Sequence, residues 1–364
     1  MRVEPTQLVP GCVLLNDVRG KTNRPIIPKK TVLTEEHISV LEKFLVETVD
    51  VSAKLENGDT FKPEFVHKEE VKEQTQTSVQ QEPESFEKQY KNAVTSYKTL
   101  FTKWQNNMAI DMPEVRDILI PLFERMDDSS KVIYTLHHYA AKKDYIFHHS
   151  VSVGILSAFL AKKLGYEKGE WLQIGLAGSL SDCGMAKIDE AIVMKNGSLS
   201  YSEREEMRKH PTYSYRLVEK VPTITKAVKL AVLQHHERFD GSGYPLGLPK
   251  DKIHSYARII AVCDMYHAMT SERIYREGQT PFKVIEEIQK YKFTKLDHQV
   301  VDAFIDSLTN FSIGTKVRLS TNKIGEIVFL DSKNPTRPIV KLTETDEIVT
   351  LTNNPSLFIE EIIN

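Results

Sequence analysis

Histidines and carboxylates set against apolar runs are where this sequence could do chemistry. Nine of its twelve histidines lie between His137 and His267, with doublets at His137–His138, His148–His149 and His235–His236. Taken singly, each reads as a surface or satisfied core residue. The combination reads differently, because His149, Asp182, His210, His235, His236 and Asp264 fall at helix ends or on apolar helices that could converge on one point. Asp264 stands inside "RIIAVCDMY" and Asp182 follows "WLQIGLAGSLS", settings in which an unpaired carboxylate is costly. A divalent cation supplies the missing partner, since it keeps carboxylates ionised and takes neutral imidazole nitrogens as ligands.

One doublet opens "HHERFDGSGYPLGLP", residues 235–249, and a glycine- and proline-restricted loop follows it. An ordinary helix-ending turn would need neither the doublet before it nor Asp264 and Arg273 after it.

The elements that must position these residues are mostly helical. From Phe86 to about Asn310, runs such as "FEKQYKNAVTSYKTLFTKW", "TKAVKLAVLQHH", "ARIIAVCDMYHAM" and "DHQVVDAFIDSL" repeat apolar residues every three or four positions. The helix carrying His149 should close on Gly165. Residues 1–55 read as a small α+β module, with Thr34 capping the helix in "TEEHISVLEKFL". Residues 56–85 are rich in Gln, Glu and Lys and read as a polar linker, followed by connecting helices over 86–136 and a helical domain over 137–310. Over 311–364 the period switches to alternation in five short runs, "KVRLS", "IGEIVFLD", "RPIVKLT", "EIVTLT" and "SLFIEEI", which predicts a small β-barrel-like module.

Composition narrows the field. The 48 basic residues against 50 acidic ones, with no long basic block, argue against a nucleic-acid polymer as partner. Three scattered cysteines, Cys12, Cys183 and Cys263, form no CxxC and suit a reducing compartment, so a cytoplasmic location is expected. No apolar run approaches the ~18 residues of a membrane helix, and no membrane association is expected.

The sequence resembles the HD-GYP domains, a branch of the HD phosphohydrolases that cleaves cyclic dinucleotides, chiefly cyclic di-GMP, in bacterial signalling. The resemblance runs over about His137 to Tyr291 and is carried by "HHS" at 148–150, "SDCGMAKI" at 181–188, "KHP" at 209–211, "HHERFDGSGYPLGL" at 235–248 and "ARIIAVCDMYHAMTSERIYR" at 257–276. It implies an all-helical bundle, flanked here by the two small modules, and a two-metal hydrolysis of a phosphodiester. By the same resemblance His149, the residue at 181, Asp182 and Asp264 would hold one metal. Asp182, His210, His235 and His236 would hold a second. Asp182 then bridges and is the catalytic residue, with Tyr244, Arg273 and Arg276 as candidate contacts to substrate. Imidazole and carboxylate together suit Fe, Mn, Zn or Ni about equally.

The departures matter as much. Ser181 stands where the family has the histidine of its HD pair, and a hydroxyl is a poor ligand beside imidazole, so one firm metal site and one weak or empty one are expected. A water, Cys183 or His148 could take the vacant place. Met185 replaces a lysine that would face the phosphate, and Tyr145 replaces a glutamate used by three-metal members, so a third metal is not expected. His267 replaces an acid and reads either as a partner of Asp264 or as a surface histidine. Tyr97, Phe101, Trp104, Met265 and Met269 read as packing, and His137, His138 and His254 as surface. Three functions follow: a protein that binds or acts on cyclic di-GMP with catalysis impaired by Ser181, a competent phosphodiesterase giving linear dinucleotide or GMP, and a related phosphohydrolase on another phosphoester. The first is the reading carried forward. A homodimer through residues 86–126 is the expectation for a signalling chain.

Overall fold

A computed structural model describes residues 1–19, 25–43, 48–63, 85–126, 136–139, 144–272, 277–309, 311–331 and 334–363. The chain divides into two compact units, Met1–Glu82 and Pro83–Asn364.

In the first unit β1 (Arg2–Val3), β2 (Val18–Arg19), β3 (Pro25–Ile27), α1 (Glu35–Lys43) and β4 (Val49–Asp50) surround a core of Val3, Cys12, Leu14, Leu33, Leu41, Val51 and Phe61. β1 pairs antiparallel with β4, and β2 with β3. The Thr34 hydroxyl accepts the His37 N–H at 3.3 Å, the cap its position predicts. Phe61 is an aromatic within a polar stretch, and it is buried in this core behind a Lys54–Thr60 bridge. The module therefore reaches past residue 55, into the stretch expected to be linker; of that expected linker, residues 64–84 lie outside the described ones.

The second unit opens with α2 (Phe86–Gln105) and α3 (Met112–Glu124), capped by Ser85 and Asp111. Next come α4 (Tyr145–Lys163) and α5 (Lys168–Leu180). From His148 to Ala161 every α4 residue is buried, so this helix is apolar on all sides and forms the axis of the bundle. Gly165 ends it at φ +84°, as its position predicts. A 3-10 turn over Cys183–Lys187 leads to the short α6 (Glu190–Val193) and α7 (Tyr201–Met207), then to α8 (His210–Glu219) and α9 (Lys226–Gln234). The loop of residues 235–249 precedes α10 (Ser255–Thr270), α11 (Pro281–Tyr291) and α12 (His298–Leu308). Tyr97, Phe101 and Trp104 are buried packing residues, and Met265 and Met269 pack partly buried against the same core.

The five alternating runs at the C-terminus become β5 (Lys316–Leu319), β6 (Ile324–Phe329), β7 (Ile339–Leu342), β8 (Ile348–Thr350) and β9 (Ile359–Ile363). They form one antiparallel sheet in the order β8-β7-β6-β5-β9, with β8 and β9 at opposite edges. The expected barrel-like module is thus a small sheet. Its buried face, Val317, Leu319, Ile327, Val340, Leu342 and Ile359, closes over Phe282 of α11. Beside it Arg337 forks onto Glu286 of α11, with Nε on Oε1 at 2.5 Å and Nη2 on Oε2 at 2.7 Å. No helix among the described residues is long and apolar enough to cross a membrane.

Candidate metal centre

Five elements deliver six side chains to one place. His149 lies in the second turn of α4, Asp182 just past the end of α5, His210 at the first residue of α8, His235 and His236 just past α9, and Asp264 midway along α10. Four of the six sit at helix ends, where a side chain can point inward without interrupting a helix. Two backbone approaches bring them close. The Gly184 N–H donates to Ser214 Oγ at 2.7 Å, and a Cβ at residue 184 would lie 2.3 Å from the His210 carbonyl, so only glycine lets the turn after Asp182 rest on α8. A Cβ at Gly243 would lie 2.6 Å from the His236 carbonyl and 2.4 Å from the Arg238 nitrogen. The loop folds back over the doublet on that glycine.

Asp182 faces both ways. Its Oδ1 lies 3.1 Å from His210 Nε2 and 3.6 Å from His235 Nε2, and its Oδ2 lies 3.4 Å from His149 Nε2. His149 Nε2 is also 3.0 Å from Asp264 Oδ1, and His236 Nδ1 is 3.6 Å from Asp264 Oδ2. These atoms fall into two groups with the reach of an ion's ligands: Asp182, His210, His235 and His236, and His149, Asp182 and Asp264.

The protons on these rings say what is missing. His210 Nδ1 donates to the Met207 carbonyl and His235 Nδ1 to the Val232 carbonyl, both at 2.8 Å. In the neutral rings, Nε2 therefore carries a lone pair on each. The two Nε2 atoms nevertheless face each other at 3.3 Å, beside an Asp182 Oδ1 that is buried and receives no well-aligned hydrogen bond. Lone pairs and a carboxylate oxygen converging in this way repel unless a cation sits among them. The donor set therefore fits a divalent metal.

Electrostatics agree in direction. Burial alone would raise the Asp182 carboxyl, and only hydrogen bonds and charge from proton-bearing His210, His235 and His149 rings would hold it well below the usual carboxylate range, the part a cation takes when those nitrogens are bare. For Asp264 burial likewise opposes ionisation and only positive charge on His236 and His149 would outweigh it, charge that a cation supplies when those rings are neutral. Burial, and then neighbouring His235, pulls the His236 imidazole well below its ordinary value, which keeps the ring neutral. Asp182 also sits past the C-terminus of α5, where a helix dipole disfavours an anion, so its ionisation depends on these neighbours.

The remaining expected residues separate. Ser181 is buried, and its hydroxyl donates to the Ala177 carbonyl one turn back at 2.8 Å. Neither proposed substitute stands in for it. Cys183 lies against the Ser214 carbonyl with its thiol pushed up to about 12 by burial, and His148 contacts the Tyr90 hydroxyl at 3.2 Å. His267 is not the surface residue that was one expectation: it is fully buried, and the ring it meets is His149 and not, as the other expectation had it, Asp264. Among the histidines read as surface, His138 is exposed, while His254 caps α10. Tyr244 lines the cavity with its ring 4.6 Å from His236 and the Arg208 guanidinium 4.7 Å away on it. Arg273 and Arg276 lie outside the described residues.

A cavity of about 500 Å³ opens over the cluster, lined by Tyr145, Phe147, Met185, Met207 and Tyr244 together with the cations Lys98 and Lys195. The sequence reading passed over Glu237. This buried carboxylate accepts the N–H groups of Leu246 at 2.8 Å and Leu248 at 2.9 Å and so pins the loop. An acid between a histidine doublet and a glycine-rich turn was the available signal.

Comparison with known proteins adds the following. The HD domain family matches residues 135–300. The chain is 30% identical over 244 residues to the cyclic di-GMP phosphodiesterase PA4108 of Pseudomonas aeruginosa, a match covering 67% of this chain and 59% of the relative. It is 35% identical over 167 residues to the 3'3'-cGAMP-specific phosphodiesterase 1 of Vibrio cholerae, covering 45% of this chain and 38% of that protein. The chain thus spans about half the length of the curated relatives it matches. Among solved structures it shares a fold with Bd1817 of Bdellovibrio bacteriovorus, an HDG"Y"P protein, at a TM-score of 0.50 and 13% identity over 85% of this chain and 99% of that one.

Proposed function

Since residues 135–300 form an HD domain of the HD-GYP family, we propose that this chain is a metal-dependent protein of cyclic-dinucleotide signalling, which binds cyclic di-GMP or a close relative and hydrolyses it weakly. The observation that supports this best is Asp182, whose two oxygens face two separate ligand groups. His210, His235 and His236 with Asp182 give four donors for a firm site, and His149, Asp182 and Asp264 give three for a weaker one. Ser181 withholds the fourth, because its hydroxyl is turned onto α5. When bound, a pair of Fe, Mn, Zn or Ni ions would offset the charge of a phosphodiester and ease deprotonation of an attacking water. The chain's own part is to hold the acids ionised, the imidazoles turned inward and the phosphodiester over them.

The cavity suits such a ligand: its volume lies in the usual range for small molecules, and aromatic and methionine side chains offer faces to a base. The relatives' names supply the substrate class, cyclic di-GMP for one and 3'3'-cGAMP for the other. A fully competent phosphodiesterase is the second reading, favoured by the placement of Asp182, whose two oxygens would each be available to one ion of a pair.

The test is to incubate Mn(II)- or Fe(II)-loaded protein with cyclic di-GMP without oxygen, following linear dinucleotide and GMP by chromatography and binding by calorimetry. The expected result is binding with slow turnover that disappears in Asp182→Ala and rises at least tenfold in Ser181→His. Turnover that Ser181→His fails to raise would favour the competent reading. Metal-loaded protein that neither binds nor cleaves a cyclic dinucleotide would refute both.

A further inference from the structure

We infer that His267 determines how His149 presents itself to an ion, a positioning role that rests on the metal-site reading above. His149 ligates only through an unprotonated nitrogen, and the one aimed at the carboxylates is Nε2, 3.0 Å from Asp264 Oδ1 and 3.4 Å from Asp182 Oδ2. Its proton must then sit on Nδ1 and be donated elsewhere. Two groups stand within reach of Nδ1: His267 Nδ1 at 3.0 Å and the Tyr145 hydroxyl at 3.1 Å. An imidazole nitrogen is a stronger base than a phenol oxygen, so His267 is the acceptor and Tyr145 lies alongside.

The other rings meet the same need differently. His210 and His235 donate to the backbone carbonyls of Met207 and Val232, both in the last turn of a helix, where carbonyls lack intrahelical partners. Within α4 the carbonyls behind His149 are taken by the helix's own bonds, so a side chain has to serve. His267 comes from α10, one turn past Asp264, and is fully buried, with Ser271 Oγ 3.3 Å from its ring nitrogens. One helix thus supplies both a carboxylate and the acceptor that orients the imidazole opposite it. The family pattern has an acid at this position. An imidazole here can orient His149 without placing a third carboxylate beside Asp182 and Asp264, in the very ligand group that lacks its fourth donor.

The test follows Mn(II) titration of the full chain by electron paramagnetic resonance, where the four-ligand group fills first and the His149 group second. His267→Phe fills the space but cannot accept. It should weaken the second binding event about 10–100-fold and leave the first unchanged. His267→Asn, whose amide oxygen can accept, should recover it. Second-site binding unchanged in His267→Phe, while His149→Ala abolishes it, would overturn this role and leave the metal reading standing. Loss of both ions in His267→Phe with the helical circular dichroism intact would also overturn it, since the effect would then be general. If His149→Ala itself leaves the second event untouched, the metal reading at that group falls and this role falls with it.

Discussion

Replacing Ser181 with histidine should add a fourth donor to the His149, Asp182 and Asp264 group, and the structure sets what that costs. The serine hydroxyl bonds the Ala177 carbonyl at 2.8 Å, a contact whose loss costs about 1 kcal/mol. The position is only 3% exposed, so fitting a larger ring costs roughly 1–3 kcal/mol more. Metal-free Ser181→His should therefore melt several degrees below the parent. With ion present the balance changes, because one further imidazole should tighten the weak site about 10–100-fold, or roughly 1.4–2.8 kcal/mol. Saturating Mn(II) should then return most of the lost stability. Equilibrium dialysis followed by elemental analysis should count more metal per chain in the variant than in the parent, and melting with and without Mn(II) should show the larger shift in the variant. If metal per chain is unchanged, position 181 does not face the ions and the account of the weak site is wrong.

Other outcomes follow from the same contacts. Glu237→Gln keeps the shape but loses one of two acceptors, so the N–H of Leu246 or Leu248 goes unsatisfied; denaturant unfolding should show a loss of about 1–3 kcal/mol. Removing metal with a chelator should lower the melting temperature of the parent, and much less that of His210→Ala, in which the four-ligand group is broken; at 100 times Kd the bound ion stabilises by about 2.7 kcal/mol. Glu203, bonded first to Lys195 and then to the Ser200 N–H and hydroxyl at the start of α7, has its carboxyl lowered from 4.5 to about 2. A depressed carboxyl stabilises above its unfolded value and ceases to do so as pH falls through its folded one. Hydrogen exchange at α7 should thus be slow above about pH 4.5 and speed up toward pH 2 relative to Glu203→Gln.

Much of this was legible in the chain because it rests on periodicity. The helices around Tyr97, Ala231 and Phe304 and the five C-terminal strands follow apolar spacings that local sequence sets. The strand order and the seating of the sheet on Phe282 were not legible, since the one depends on register and the other on a residue outside the alternating runs. At the candidate site, residue types and their helix-end placement pointed to one cluster, and the six side chains do lie together. Orientation was out of reach. Sequence cannot show that Ser181 turns onto α5, that His267 meets His149 across two helices, or that Glu237 clasps the loop, because each is a tertiary contact made by one atom.

The C-terminal sheet has a mechanical consequence. With Phe282 in its core and the Arg337–Glu286 fork at its flank, the sheet is bolted to α11 instead of hanging from a tether. Helix α11 packs on α10, which carries Asp264 and His267. The helix that carries Asp264 and His267 is thus backed by one whose outer side the sheet covers, and a chain cut before β5 would lose that cover and expose Phe282.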